Sequence, residues 1–267
     1  MQISIILLLV VGGLSLGSFV NALVWRLKTK RNFVSERSEC TNCHHTLAWY
    51  DLIPVLSWLW LRGRCRYCYR KISWQYPLVE LSVAATFVGS YLSWPYTAYG
   101  QPGWWLLAFW LLAVVLLAAL FVYDVHWYEL PDRLVVPLIG LGIAYGLTLW
   151  FVVRQLTPLA VANELLLSLL PITGLYGILY VVSHRQWVGL GDVKLGIFIG
   201  LVLGWQGALL ALLIANLLGT VVVLPGLLVG KLTRTSHIPF GPFLILATVI
   251  ALLWGPVIIE WYLLLLM

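Results

Sequence analysis

Charge is the scarcest property of this chain. Only 10% of its 267 residues are charged, 16 Lys+Arg against 10 Asp+Glu, where soluble domains carry about 25%. That shortfall excludes a water-soluble globular enzyme. An apolar content of 62% excludes intrinsic disorder, which needs low hydrophobicity and high charge. Also missing are the short alternating strands of a transmembrane barrel, an inverted internal repeat of the transporter kind, low-complexity tracts and a glycine-rich nucleotide loop. Only Met1 and Gln2 precede the first apolar run. It therefore lacks the basic n-region of a cleavable signal peptide and is expected to be retained as a membrane helix. No nucleic-acid partner is expected.

What is present is a series of apolar runs on the scale of the roughly 20 residues that cross a bilayer. They read as eight spans at 2–25, 77–93, 104–123, 134–153, 160–183, 193–206, 207–230 and 241–264. The break between the sixth and seventh rests on Gly204-Trp205-Gln206-Gly207, and the one between the second and third on the prolines and glycines of 93–103. The predicted fold is an all-α polytopic membrane protein of about eight transmembrane helices. Its parts are a first helix (1–25), a polar insert (26–76) and a seven-helix block (77–267).

Ten of the basic residues lie between Arg26 and Lys71, and five more are Arg133, Arg185, Lys194, Lys231 and Arg234. Counting alternately through eight spans puts all of these on one face and leaves only Arg154 on the other. The positive-inside rule makes the crowded face cytoplasmic, with the N-terminus outside.

All four cysteines fall in the insert, as Cys40-Thr-Asn-Cys43 and Cys65-Arg-Tyr-Cys68. Two such knuckles, 21 residues apart, present four thiolates to one tetrahedral Zn²⁺. Two disulfides are the competing reading, which a reducing cytosol disfavours. A structural metal suits an insert too short for a large core. With four thiolates completing the shell, His44 and His45 read as polar loop residues. The apolar stretch Leu52–Leu61 is too short to span and is expected to pack on the knuckles or lie at the interface.

Carboxylates are few in the helical block, so each is informative. Asp124 ends the third span in Phe121-Val-Tyr-Asp124-Val-His-Trp-Tyr-Glu129-Leu-Pro-Asp132, and Asp192 opens the sixth in Val188-Gly189-Leu190-Gly191-Asp192-Val193-Lys194. The topology puts both at the same membrane face although they are 68 positions apart. Gly189 and Gly191 permit unusual dihedrals or close backbone approach just before a helix. Asp192 would sit at that helix's N-terminus, a favourable place for negative charge, and Asp124 at a C-terminus, an unfavourable one. Two carboxylates held unequally suit aspartic-protease chemistry, one as base to water and one as acid to the carbonyl oxygen. As plain alternatives, each is a cap or ion-pair partner. Asp132, between Pro131 and Arg133, reads as an N-cap, and His126 and Glu129 as interfacial polar residues. Glu80, a turn inside the second span, is expected to face the bundle interior or a basic group of the insert.

Several motifs in order resemble the bifunctional type IV prepilin peptidases. They are Gly17-Ser-Phe-Val-Asn21 with Arg26-Leu27, the two knuckles, Asp51, Ile53-Pro-Val-Leu-Ser-Trp58, Leu61-Arg-Gly63 and Tyr76-Pro-Leu-Val-Glu80. They continue with Asp124, Leu130-Pro-Asp132, Gly189-Leu-Gly-Asp192-Val-Lys194 and Ile238-Pro-Phe-Gly-Pro-Phe243. The chain departs at Thr41, where the family has proline, and at Leu52, where it has asparagine. The resemblance implies a GxGD-type intramembrane aspartic protease in a bacterial cytoplasmic (inner) membrane, with Asp124 and Asp192 as catalytic pair and Gly189, Gly191, Lys194, Asp132 and Glu80 shaping the site. It implies type IV prepilins or pseudopilins as substrates, with a short basic leader, a glycine before the cut and an apolar helix after it. It also implies N-methylation of the new amine from S-adenosylmethionine, to which no residue is assigned. A basic leader approaching a basic insert leaves Glu36, Glu39 and Asp51 as local partners. The alternatives are an ion-coupled transporter using the aspartates as a relay and a zinc-stabilised membrane assembly protein.

Overall fold

The computed structural model describes residues 2–31, 37–230 and 238–265. Glu36, Lys231 and Arg234 lie outside the described residues. Among the described residues nine α-helices follow in order: α1 (Gln2–Thr29), α2 (Leu56–Trp60), α3 (Gln75–Leu92), α4 (Gln101–Trp127), α5 (Asp132–Leu147), α6 (Pro158–Leu169), α7 (Leu175–Val182), α8 (Leu190–Leu228) and α9 (Gly241–Leu265). Among the described residues there is no strand, only two isolated β-bridges in the insert.

Six helical segments are long and apolar enough to cross a membrane, and α8 is one of them at 39 residues. At 1.5 Å per residue it would run about 58 Å, nearly twice a hydrocarbon core of about 30 Å. It does not run straight. Gly204 breaks it with φ 68° and ψ 179°, a conformation only glycine adopts readily. The sixth and seventh expected spans are therefore 190–203 and 205–228. With α3 counted, about eight membrane helices result. The fifth span is α6 and α7 joined by a π-helical stretch, Leu170–Gly174, where Pro171 cannot supply the next helical hydrogen bond. The expected boundaries fall short at two places that bear on function: α4 continues to Trp127, and α8 begins at Leu190.

The chain forms two compact units. The first comprises Met1–Leu92 with Val114–Val122, and the second Ser93–Ala113 with Tyr123–Met267. In the first, α1 packs on α3 along Gly13, Gly17 and Asn21. A β-carbon at Gly13 would stand 2.6 Å from Ala84 Cα, and one at Gly17 2.6 Å from Glu80 Cα, so the backbones touch as at small-residue membrane interfaces. Asn21 closes the row by donating to the Tyr76 carbonyl at 3.2 Å. In the second unit α8 is the hub, packed against α5, α6 and α9. Its buried face carries Leu195, Phe198, Ile199 and Val202. Gly196 admits Ile172 of the π-helical stretch, whose Cγ2 would lie 2.6 Å from an added β-carbon.

Candidate active site and metal centre

The second unit brings Asp124 and Asp192 together. Asp124 lies one turn inside the C-terminal end of α4, which closes with Tyr128 in the left-handed conformation (φ 57°) and its amide donating to the Asp124 carbonyl at 2.8 Å. The Asp124 side chain is buried and accepts a hydrogen bond from the backbone amide of Gly241, the first residue of α9. Asp192 is the third residue of α8. Its carboxylate lies beside the N-cap, Gly189, where an added β-carbon would stand 3.4 Å from Asp192 Oδ2, and within electrostatic reach of Asp124. Each carboxylate thus lies against a glycine at the start of a helix, α8 for Asp192 and α9 for Asp124. Asp124 is at the C-terminal end of α4 as expected and has the start of α9 beside it as well.

The glycines act by close approach rather than by unusual dihedrals. Gly189 is extended (φ −75°, ψ 145°). A β-carbon at Gly191 would stand 2.7 Å from Leu130 Cβ, and one at Gly241 2.5 Å from Asp124 Oδ2 and 3.6 Å from Leu130 Cδ1. Leu130 therefore packs between the segment that carries Asp192 and the start of α9 that lies against Asp124. Leu130 belongs to the Leu-Pro-Asp motif and Gly241 to Ile238–Phe243, but neither residue is chargeable, so neither stands out as a site residue from sequence. Tyr176 of α7, whose only signal is its aromaticity, lies within electrostatic reach of Asp192.

Asp132 and Lys194 also meet, Lys194 Nζ standing 2.6 Å from Asp132 Oδ1. Asp132 is not the N-cap of α5. Pro131 takes that position, with extended dihedrals and no side chain to offer. Asp132 is left free to pair across to the first turn of α8.

The insert and Glu80 belong to the first unit. Its two knuckles are copies of one turn. In each, the first cysteine amide donates to the carbonyl five residues on (Cys40 to His45 at 3.0 Å, Cys65 to Arg70 at 2.9 Å). Its carbonyl accepts from the residue four on (His44, Tyr69), which has a positive φ. A β-bridge closes each turn, Glu39 with Thr46 and Arg64 with Lys71. The four sulfurs lie within 4.8 Å of one another, Cys40 Sγ and Cys68 Sγ 3.9 Å apart, and all four thiols are free. A hydrogen bond from the Arg70 amide helps hold the Cys68 thiol down at about 6, while burial pushes the Cys65 thiol up. His44 and His45 stand outside the cluster: His44 faces Glu39, and His45 stacks on Tyr67 at 3.6 Å.

Asp51 is committed inside the insert, accepting from Arg66 Nε at 2.8 Å and Tyr67 Oη at 3.3 Å, and Glu39 is paired with Arg31. The expectation that these two acids stand ready for a basic leader is corrected. Within Leu52–Leu61, Trp58 packs on Trp74 at 4.1 Å and over Gly63, while Leu56, Leu59 and Trp60 remain exposed. Glu80 is buried and accepts from the Val55 amide at 2.7 Å and from Ser18. It faces inward as expected, but toward a backbone amide and a hydroxyl. Val55 holds φ 60° and ψ −50°, a strained conformation for a β-branched residue.

Comparison with known proteins gives the family. A family model described as the bacterial peptidase A24 N-terminal domain matches residues 11–94, and one described as the type IV leader peptidase family matches 110–224. A prepilin leader peptidase/N-methyltransferase of Aeromonas hydrophila is 36% identical over 233 residues, covering 87% of this chain and 76% of that protein. A protein of the same description from Stutzerimonas stutzeri is 32% identical over 293 residues, covering 98% and 94%, and one from Legionella pneumophila 32% over 279 residues, covering 95% and 93%. No solved structure matches. The first model takes in both cysteine knuckles and the second both aspartates, and the relatives extend over nearly the whole length: the chain belongs to the type IV leader peptidase family.

Proposed function

We propose that this protein is an aspartic endopeptidase that removes the basic leader of type IV prepilins or pseudopilins at the cytoplasmic edge of a bacterial inner membrane. The observation that carries the reading is the pair of carboxylates on different helices, within electrostatic reach of each other and each lying against a glycine at a helix start. Preorganised groups of this kind need no rearrangement as charge develops. One carboxylate takes a proton from a water held between them. The resulting hydroxyl adds to the scissile carbonyl carbon as the other carboxyl gives its proton to the carbonyl oxygen. Collapse of the tetrahedral species breaks the C–N bond, and the proton taken from water passes to the departing amine. By role the chain divides into a first helix (1–25), an insert (26–76) and the protease block (77–267). Lys194 and Asp132 tie the starts of α8 and α5 together beside the pair, and Glu80 fastens the insert to α3.

The four thiolates fit Zn²⁺. Tetrahedral coordination at 2.3 Å separates sulfurs by about 3.8 Å, close to the 3.9 Å between Cys40 and Cys68, and the knuckle amides favour thiolate. The metal's role is structural. N-methylation of the new amine from S-adenosylmethionine follows from the relatives' names, and no residue of this chain is assigned to the donor.

A transporter would place its carboxylates near mid-membrane, whereas both of these lie within a turn of a helix end. Cleavage of a purified prepilin, read by mass spectrometry, tests the reading: Asp124→Asn and Asp192→Asn should each abolish leader loss in a folded, inserted protein. Asp132→Asn, which removes a partly exposed ion pair worth about 1 kcal/mol at most, should be milder. Near-normal cleavage by either of the first two variants overturns the assignment. Added mass of one methyl on the mature product reports the second activity in the same spectrum.

A further inference from the structure

A groove of about 320 Å³ opens between the second half of α8 and the start of α9. It is lined by Gly219, Val223, Leu224, Leu227, Phe240 and Phe243, together with Asn216 and Thr220. The two polar residues make no demand on an occupant, because Asn216 Nδ2 donates to the Leu212 carbonyl at 2.7 Å and Thr220 Oγ1 to the Asn216 carbonyl at 2.8 Å, both within α8. The absence of a side chain at Gly219 makes the floor: a β-carbon there would rest 3.7 Å from Phe240 Cε2 and from Phe243 Cδ2.

We propose that this groove seats the apolar helix that follows the cut in a prepilin. The inference rests on the peptidase reading above and adds the place where the substrate is held.

Phe240 links groove to chemistry. It is the residue before Gly241, whose amide holds Asp124. Its ring lies 6.1 Å from that of Tyr176. One wall of the groove is therefore continuous with the segment that lies against Asp124. From Leu227 to Asn216 the groove follows α8 for about 16 Å at 1.5 Å per residue, passing Phe240 and Phe243 at the start of α9 opposite Gly219 and leading toward the buried part of α8 at Ala215 and Ala211. A substrate with a polar leader on one side of its scissile bond and an apolar helix on the other needs a path of that direction and character, and an apolar helix face laid in a groove is a common recognition mode. The volume is at the small end of the roughly 300–1,000 Å³ of small-molecule pockets, enough for a row of side chains. Its apolar lining does not suit S-adenosylmethionine, which is charged and polar.

The full-length protein in detergent micelles, with a purified type IV prepilin, provides the test. Val223→Trp should raise KM about tenfold with kcat within about twofold, because it removes ground-state binding and leaves the carboxylates in place. Leu217→Trp, on an exposed part of α8 that does not line the groove, should leave both constants unchanged. Gly219→Ala, which the 3.7 Å spacing tolerates, should move KM in the same direction by a smaller factor and covers the case in which the tryptophan does not insert. A benzoylphenylalanine introduced at Val223 in the Asp192→Asn background should cross-link to the apolar segment of the uncleaved prepilin. Cross-links to lipid alone, or KM values equal to the Leu217→Trp control while the wild-type protein cleaves normally, overturn the groove and leave the peptidase reading intact. If the wild-type protein does not cleave the prepilin, both fall together.

Discussion

The amide of Gly241 donates to the carboxylate of Asp124 across a gap that admits no β-carbon, since one would stand 2.5 Å from Asp124 Oδ2. The start of α9 and the end of α4 are thereby fixed to each other through a single backbone donor. Gly241→Ala keeps the donor and displaces the carboxylate. A displacement of about 1 Å in a catalytic group can cost about a hundredfold, so cleavage should fall by that order while the protein still inserts. Single-turnover assays at saturating prepilin would show the loss in kcat. A variant with kcat within twofold of wild type would mean that Asp124 does not need this anchor.

The metal prediction is one equivalent of zinc per chain. Elemental analysis of protein purified under reducing conditions should find it, and Cys65→Ser, at the buried ligand, should lose it. The insert should then become the first site of proteolytic nicking, because metal binding supplies folding free energy to so small a module. Metal-free protein with four freely titrating thiols and an intact insert would refute the site.

Glu80 joins the insert to α3 through the Val55 amide. Glu80→Gln keeps the shape and weakens a charge-assisted hydrogen bond, costing about 1–2 kcal/mol. The expected readout is a lower thermal midpoint and earlier nicking near Val55. Because Val55 is held at φ 60°, the strained turn should relax when its acceptor is weakened, visible as faster amide exchange at residues 53–57.

Orientation follows from the basic residues and is tested by single cysteines in a background lacking the native four. Gln155 and Gln186 are both exposed, at opposite ends of the α6–α7 segment. An impermeant thiol reagent added to intact cells should label Gln155→Cys and spare Gln186→Cys. A reversed pattern would put the aspartates outside and remove the cytoplasmic-edge model.

The proximity of the two aspartates is legible because the span count puts both at one membrane face, and that of the cysteines because tetrahedral coordination imposes a spacing. The anchors are not, for a physical reason. Gly241 acts through its amide and through the absence of a side chain, and neither leaves a chemical signature in a sequence with 23 glycines. Asp132 was read as an N-cap because the residue type suits that position; Pro131 ends the extended segment one residue earlier and takes the place. Asp51 and Glu39 looked available in the sequence and are consumed by Arg66 and Arg31, pairings that only the folded insert brings about. The Gly204 break was marked in the sequence by two nearby glycines, and its cause is the positive φ of the first of them.

The interruption at Gly204 has a further consequence, for the bilayer itself. The piece of α8 that begins at the Asp192 end, 190–203, is about 21 Å long at 1.5 Å per residue, some 9 Å short of a typical hydrocarbon thickness. A span this short creates hydrophobic mismatch, which lipids meet by thinning locally. Headgroups and the water they carry then reach deeper at that end of the helix than elsewhere around the protein. The nucleophile of hydrolysis would arrive through a dimple in the membrane surface, at carboxylates that stand at helix ends.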